Sequence, residues 1–113
     1  MTPEGEVKKE IRKALAMAGL PFFVPPVGGF GKMGISDFIV HYRQRVLFIE
    51  AKATSGSKLT RMQAIFRVQI SDSECPYWVV DSSNVDELLA SLRNFKEEID
   101  LCFSNSYLPA KKS

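Results

Sequence analysis

Val7, Ile11, Ala14, Leu15 and Ala18 recur at helical spacing, and this stripe predicts a first helix over residues 3–18. Thr2 can cap it, Pro3 suits its first turn, and Glu4 and Glu6 complement the positive end of the helix dipole. Gly19 stops it, while Lys8, Lys9, Arg12 and Lys13 occupy other faces and make its outside basic. A short apolar run at residues 22–24 leads to Pro25-Pro26 and a loop with four glycines between Gly28 and Gly34. Two strongly apolar runs, FIV and VLFI, then predict strands over residues 36–42 and 45–53, followed by the polar connector TSGSKL. A second helix is expected over residues 61–70, where Thr60 and Gln63 fit a capping box and Met62, Ile65, Phe66 and Gln69 share a side. Pro76 introduces a strand over residues 77–81. Val85, Leu88, Leu89, Leu92 and Phe95 mark a last helix over residues 85–99. The tail after Phe103 is weakly patterned and is expected to fray.

The element order is therefore αβββαβα, a mixed α/β domain with a small sheet covered by helices. At 113 residues the chain makes one domain, with no repeat and no linker to divide it. Its 45% hydrophobic and 25% charged content suits a soluble globular protein, and no run of about 18 apolar residues predicts a membrane span. The N-terminus is charged from Glu4 onward and lacks an apolar signal core. Cys75 and Cys102 are far apart and His41 is the single histidine, which excludes a zinc finger and gives no disulfide framework. These features lead us to expect a reducing, intracellular setting. A net charge of +2 is nearly neutral, so a nucleic-acid partner would have to meet a local basic surface.

Chemistry concentrates between Ser36 and Lys52. A hairpin centred between Arg43 and Gln44 makes Asp37 and Glu50 direct cross-strand partners, with β-carbons roughly 5 Å apart. Lys52, two residues beyond Glu50, falls on the same face by strand alternation. Like charges opposed in a sheet repel, and a divalent metal would offset the repulsion. Oxygen ligands favour magnesium or manganese over zinc. The plainer reading of the same residues is an Asp–Lys–Glu cluster forming ordinary salt bridges at a sheet end. Glu4 lies about 40° from the mean direction of the first helix's apolar stripe and Glu6 about 120° from it. Glu4 is thus the inward-facing acid, available to a site or serving only the helix dipole.

TPEGEVKKEIRKAL, the glycine loop leading to GISD, FIEAKA, and KLTRMQ together resemble the VRR-NUC domain. That family belongs to the PD-(D/E)xK nuclease superfamily, alongside Holliday-junction resolvases, and includes short stand-alone members in bacteriophages. The resemblance runs from about Thr2 to Asp81. It implies a restriction-endonuclease-like fold and hydrolysis of DNA phosphodiesters with Mg2+ or Mn2+ as cofactor. By the same resemblance, the metal-binding aspartate falls on Asp37, its paired carboxylate on Glu50, the catalytic lysine on Lys52 and the helix-one acid on Glu4. The glutamine of the following helix falls on Gln63, which the capping box also explains. Ser36 stands where the family usually has proline, which bears on loop rigidity more than chemistry. A 5′-phosphate product, branched DNA such as a four-way junction as substrate, a homodimer, and host cytoplasm as the setting of a phage-encoded member are further implications.

Lys32, Lys58, Arg61 and Arg67 flank these residues along the chain and could grip phosphates, or serve individually as solubilising charges. Phe30 either stacks on a base or folds back onto the domain. GGFGKMG fails as a phosphate loop, because Pro26 stands five residues before Gly31 and Met33 replaces the required hydroxyl residue. His41 is expected to be structural, and both cysteines to act as small hydrophobes. Two other roles compete with the nuclease: a non-catalytic DNA-binding module on this fold, and a nuclease-fold subunit of a larger assembly.

Overall fold

The computed structural model describes residues 1–25, 36–71 and 75–111, with side chains described as far as residue 103. The glycine loop, with Phe30 and Lys32, lies outside the described residues. Three helices and a four-stranded mixed sheet follow in the expected order: α1 (Pro3–Ala18), β1 (Phe22–Phe23), β2 (Phe38–Tyr42), β3 (Arg45–Ala51), α2 (Arg61–Ser71), β4 (Tyr77–Val80) and α3 (Leu88–Lys111). A 3-10 turn, Val85–Glu87, leads into α3. No described helix is long and apolar enough to cross a membrane.

The sheet order is β1-β2-β3-β4, antiparallel except for the parallel β3–β4 pair. The β2–β3 register pairs Phe38 with Ile49, Val40 with Leu47 and Tyr42 with Arg45, so the hairpin turns at Arg43-Gln44 as the apolar runs imply. Arg43 takes a left-handed conformation, φ 54°, which is costly for a residue with a Cβ. Its guanidinium is anchored: Nε lies 3.1 Å from Asp100 on α3, and the group stacks over the rings of Tyr42 and Phe103. Tyr42 donates its hydroxyl to the same carboxylate at 2.8 Å. The hairpin tip is thereby fastened to α3.

Strand alternation splits the sheet into two unlike faces. Phe38, Val40, Leu47, Ile49, Ala51 and Val80 point to one side, where Val7, Ile11, Leu15 and Ala18 of α1 and Leu88 and Leu92 of α3 close a dry core. The other side carries Phe48, Glu50 and Tyr77, and is covered by α2 through edge-to-face contact of Phe66 with Phe48.

Most strands are shorter than the sequence pattern implies, β2 beginning at Phe38 and β3 ending at Ala51, and three differences matter for the surface. β1 keeps two residues, and Phe22, Phe23 and Val24 are exposed at the sheet edge. α3 continues to Lys111; no glycine or proline interrupts residues 100–108 to stop it. α2 is turned differently from expectation: Gln63, Phe66 and Ile70 are half-buried, while Met62 and Ile65 are exposed.

Beyond β4 the chain forms a compact turn. Asp81 is buried and accepts from both the backbone N–H and the hydroxyl of Ser83. Asn84 donates its carboxamide to Val79 O at 3.1 Å and accepts from Asp81 N at 2.9 Å, along the outer edge of β4.

Candidate functional site

The polar end of the β2–β3 ribbon is built from both strands. Asp37 immediately precedes β2, and the register carried one pair beyond Phe38–Ile49 sets it opposite Glu50. Asp37 Oδ2 accepts the N–H of Ala51 at 2.8 Å, which fixes the carboxylate at the end of the ladder. Glu50 is 2% exposed, an unusual burial for an acid. It sits there because β3 is a central strand, with β2 on one side and β4 on the other and α2 above.

Burial pushes the Glu50 carboxyl up to about 8, and the adjacent Asp37 charge reinforces the shift, against a smaller opposing pull from Lys52. The two carboxyl groups are therefore in direct company, and the fold holds them together at an electrostatic cost. Glu50 Oε2 accepts from Gln63 Nε2 in a short hydrogen bond. Glu50 Oε1 is buried with no hydrogen-bond partner. An orphaned buried carboxylate oxygen beside a second carboxylate is a donor set that a hard divalent cation would satisfy.

Lys52 is 8% exposed and its Nζ lies 3.7 Å from Glu50 Oε2. It donates to Gln63 Oε1 at 2.8 Å. Gln63 thus links the acid and the base of the E-A-K segment, one with each end of its carboxamide. Its Oε1 also accepts from Thr60 N at 2.9 Å, and its own N–H donates to Thr60 Oγ1 at 3.2 Å. Capping box and site contact, weighed above as alternatives, coexist in one side chain. This explains the orientation of α2: the sheet beneath offers Glu50 and Lys52, and the helix turns a carboxamide toward them.

From α1, Glu4 is half-buried as a residue, with its side chain 42% exposed, while Glu6 is exposed. Glu4 does not reach the pair directly. Its Oε2 lies 3.4 Å from Lys8 Nζ, and the same ammonium lies 3.4 Å from Asp37 Oδ1. Burial works against the Lys8 charge, but Asp37 and Glu4 outweigh it and raise its pKa. Among the described residues, no group of three or more His, Cys, Asp or Glu side chains converges as a metal site. The close carboxylates are two, Asp37 and Glu50, with Glu4 joined to them through Lys8.

Lys58 and Arg61, which flank these residues along the chain, are exposed. Arg67 is also exposed, but its guanidinium lies over the Tyr77 ring, 5.6 Å from the centroid. His41 is exposed on β2, at the far end of the strand from Asp37. Two residues were missed from sequence. Lys8 looked like one more charge on a solvated helix face; its i,i+4 spacing from the inward-facing Glu4 was the available signal. Tyr77 offered none: its hydroxyl is buried without a partner on the Glu50 face, and burial followed by the Glu50 charge raises its pKa, against a smaller pull from Arg67.

In comparisons with known proteins, no family model matches the chain and no curated protein matches it significantly.

Proposed function

We propose that the protein is a Mg2+- or Mn2+-dependent deoxyribonuclease with a restriction-endonuclease-like αβββαβα fold. The carrying observation is the buried Glu50, apposed to Asp37, with one carboxylate oxygen unsatisfied and Lys52 within 3.7 Å of the other. A purely structural cluster gains nothing from forcing two acids together in a place where one is driven toward protonation. The resemblance of the GISD, FIEAKA and KLTRMQ segments to VRR-NUC nucleases supports the same reading.

In this mechanism Asp37 and Glu50 would hold the cation. A divalent ion there would supply charge neutralisation on the scissile phosphate and a more acidic water. Lys52 presents its ammonium to the negative charge that develops on the phosphoryl oxygens. Gln63 keeps that ammonium and the Glu50 carboxylate in fixed relation, so neither reorganises during the reaction. Lys58 and Arg61 contact flanking phosphates. Branched DNA is the proposed substrate class, cut by a homodimer that matches a two-fold symmetric junction, with the protein acting inside the cell.

A non-catalytic DNA-binding module is the competing reading, favoured by the lack of a three-donor metal group among the described residues. One assay separates them. Supercoiled, linear and four-way-junction DNA are incubated with the protein in Mg2+, Mn2+ or EDTA, beside Lys52→Ala and Asp37→Asn. Cleavage is expected only with metal, and about 100-fold slower or worse in either variant. Absence of metal-dependent cleavage on every substrate, with DNA binding retained by both variants, overturns the nuclease in favour of the binder.

A further inference from the structure

Asp37 divides its two oxygens between two tasks. Oδ2 is committed to the Ala51 N–H, so Oδ1 is the oxygen left to meet a cation. The group found on Oδ1 is the Lys8 ammonium, at 3.4 Å, and the same ammonium stands 3.4 Å from Glu4 Oε2. Both separations exceed the roughly 2.7–2.9 Å of a tight charge-assisted hydrogen bond. The Lys8 side chain is 38% exposed, so water can take over its solvation. Its backbone is fixed next to the buried Val7, but its four-carbon stem is free to swing. Lys52 has no such freedom, being tied to Gln63 and packed at 8% exposure. Arg12, one turn beyond Lys8, is engaged over the Phe38 ring, 5.6 Å from the centroid.

We propose that Lys8 is a tethered counter-cation of the carboxylate site: it holds Asp37 Oδ1 and Glu4 in the metal-free protein and is displaced when a divalent ion binds. This rests on the metal-site reading above and adds a competitor to it. The chain carries its own monovalent occupant, which lowers metal affinity while keeping Glu4 and Asp37 in place until metal arrives. Displacement would also release Glu4 Oε2 from its ion pair with Lys8.

The test measures binding, without DNA or turnover. Calorimetric titration of Mn2+ into Lys8→Met, which keeps the stem and removes the charge, is expected to show about tenfold tighter binding than wild type. In parallel, acetylation of wild-type lysines is followed by mass spectrometry with and without Mg2+. Lys8 is expected to become severalfold more reactive on adding metal, while the exposed Lys9 and Lys13 on the same helix do not change. Wild-type protein that binds metal, but with equal or weaker affinity in Lys8→Met and no metal-dependent change at Lys8, overturns this proposal alone. Wild-type protein that binds no divalent metal overturns the metal-site reading and the proposal with it.

Discussion

Helices α1 and α2 each lend the site a polar side chain, but they are held to the sheet by different forces. α1 buries Val7, Ile11, Ala14, Leu15 and Ala18 in the dry core, with Ile11 and Leu15 fully enclosed. α2 has no fully buried residue between Arg61 and Ile70, and Met62, Ile65 and Val68 face outward at 44%, 41% and 66% exposure. Its contacts with the sheet include the Phe66 ring on Phe48 and Tyr77, the Arg67 guanidinium over Tyr77, and the hydrogen bonds of Gln63 to Glu50 and Lys52. One helix is fastened by hydrophobic burial and only borders the site. The other is fastened in part by the site itself, so the state of the carboxylates and the docking of α2 are coupled.

Ile11→Ala should break the α1 side most severely. It removes a fully enclosed side chain and should cost about 3 kcal/mol, read as a lowered denaturant midpoint with unchanged slope. A rise in pH should act on the α2 side. With its carboxyl pushed up to about 8, Glu50 keeps its proton in the folded state, whereas the unfolded chain releases it near the ordinary 4.5. The folded protein binds the extra proton between these values. This contribution to stability is complete below about 4.5 and is lost as pH rises toward 8. Measured without divalent metal, and corrected for intrinsic exchange rates, amide protection should fall in α2 across that window and hold in α1. Glu50→Gln should flatten the response.

Gln63→Ala is a smaller perturbation, expected to cost about 1–2 kcal/mol because it strips partners from Glu50 and Lys52. Hydrogen exchange should speed up selectively in α2, and an equal rise in both helices would refute the contrast drawn here. Tyr77→Phe should have the least effect, neutral or stabilising by up to about 1 kcal/mol, since it deletes a buried hydroxyl that has no partner. A thermal melt decides its sign.

The same contrast explains what could be read from the chain. α1 was legible to the residue because its stripe, cap and stop signals agree, and the hairpin register followed from two apolar runs about a short centre. The facing of α2 was not legible. Periodicity ranks stripes by hydrophobicity and so turned Met62 and Ile65 inward, whereas the sheet beneath presents an acid and a lysine that draw Gln63 instead. Asp37, Glu50 and Lys52 could be gathered by spacing, since each lies at a strand end, whereas Gln63 was legible by spacing only as a capping residue and joined them through the resemblance alone. The Lys8 bridge could not, because it depends on how α1 crosses the end of β2, a distance no local pattern encodes.

The turn after β4 has a consequence for how the molecule meets its own kind. On the outer edge of β4, Asn84 gives one hydrogen bond to Val79 O and takes one from Asp81 N, as a residue of a further parallel strand would. The carboxamide is a false neighbour, a single peptide-like group where a whole strand could have docked. An incoming chain that pairs along this end of β4 must first displace it and its two hydrogen bonds. One side chain thus blunts the end of an edge strand, Tyr-Trp-Val-Val, whose outward backbone groups would otherwise be open to pairing there.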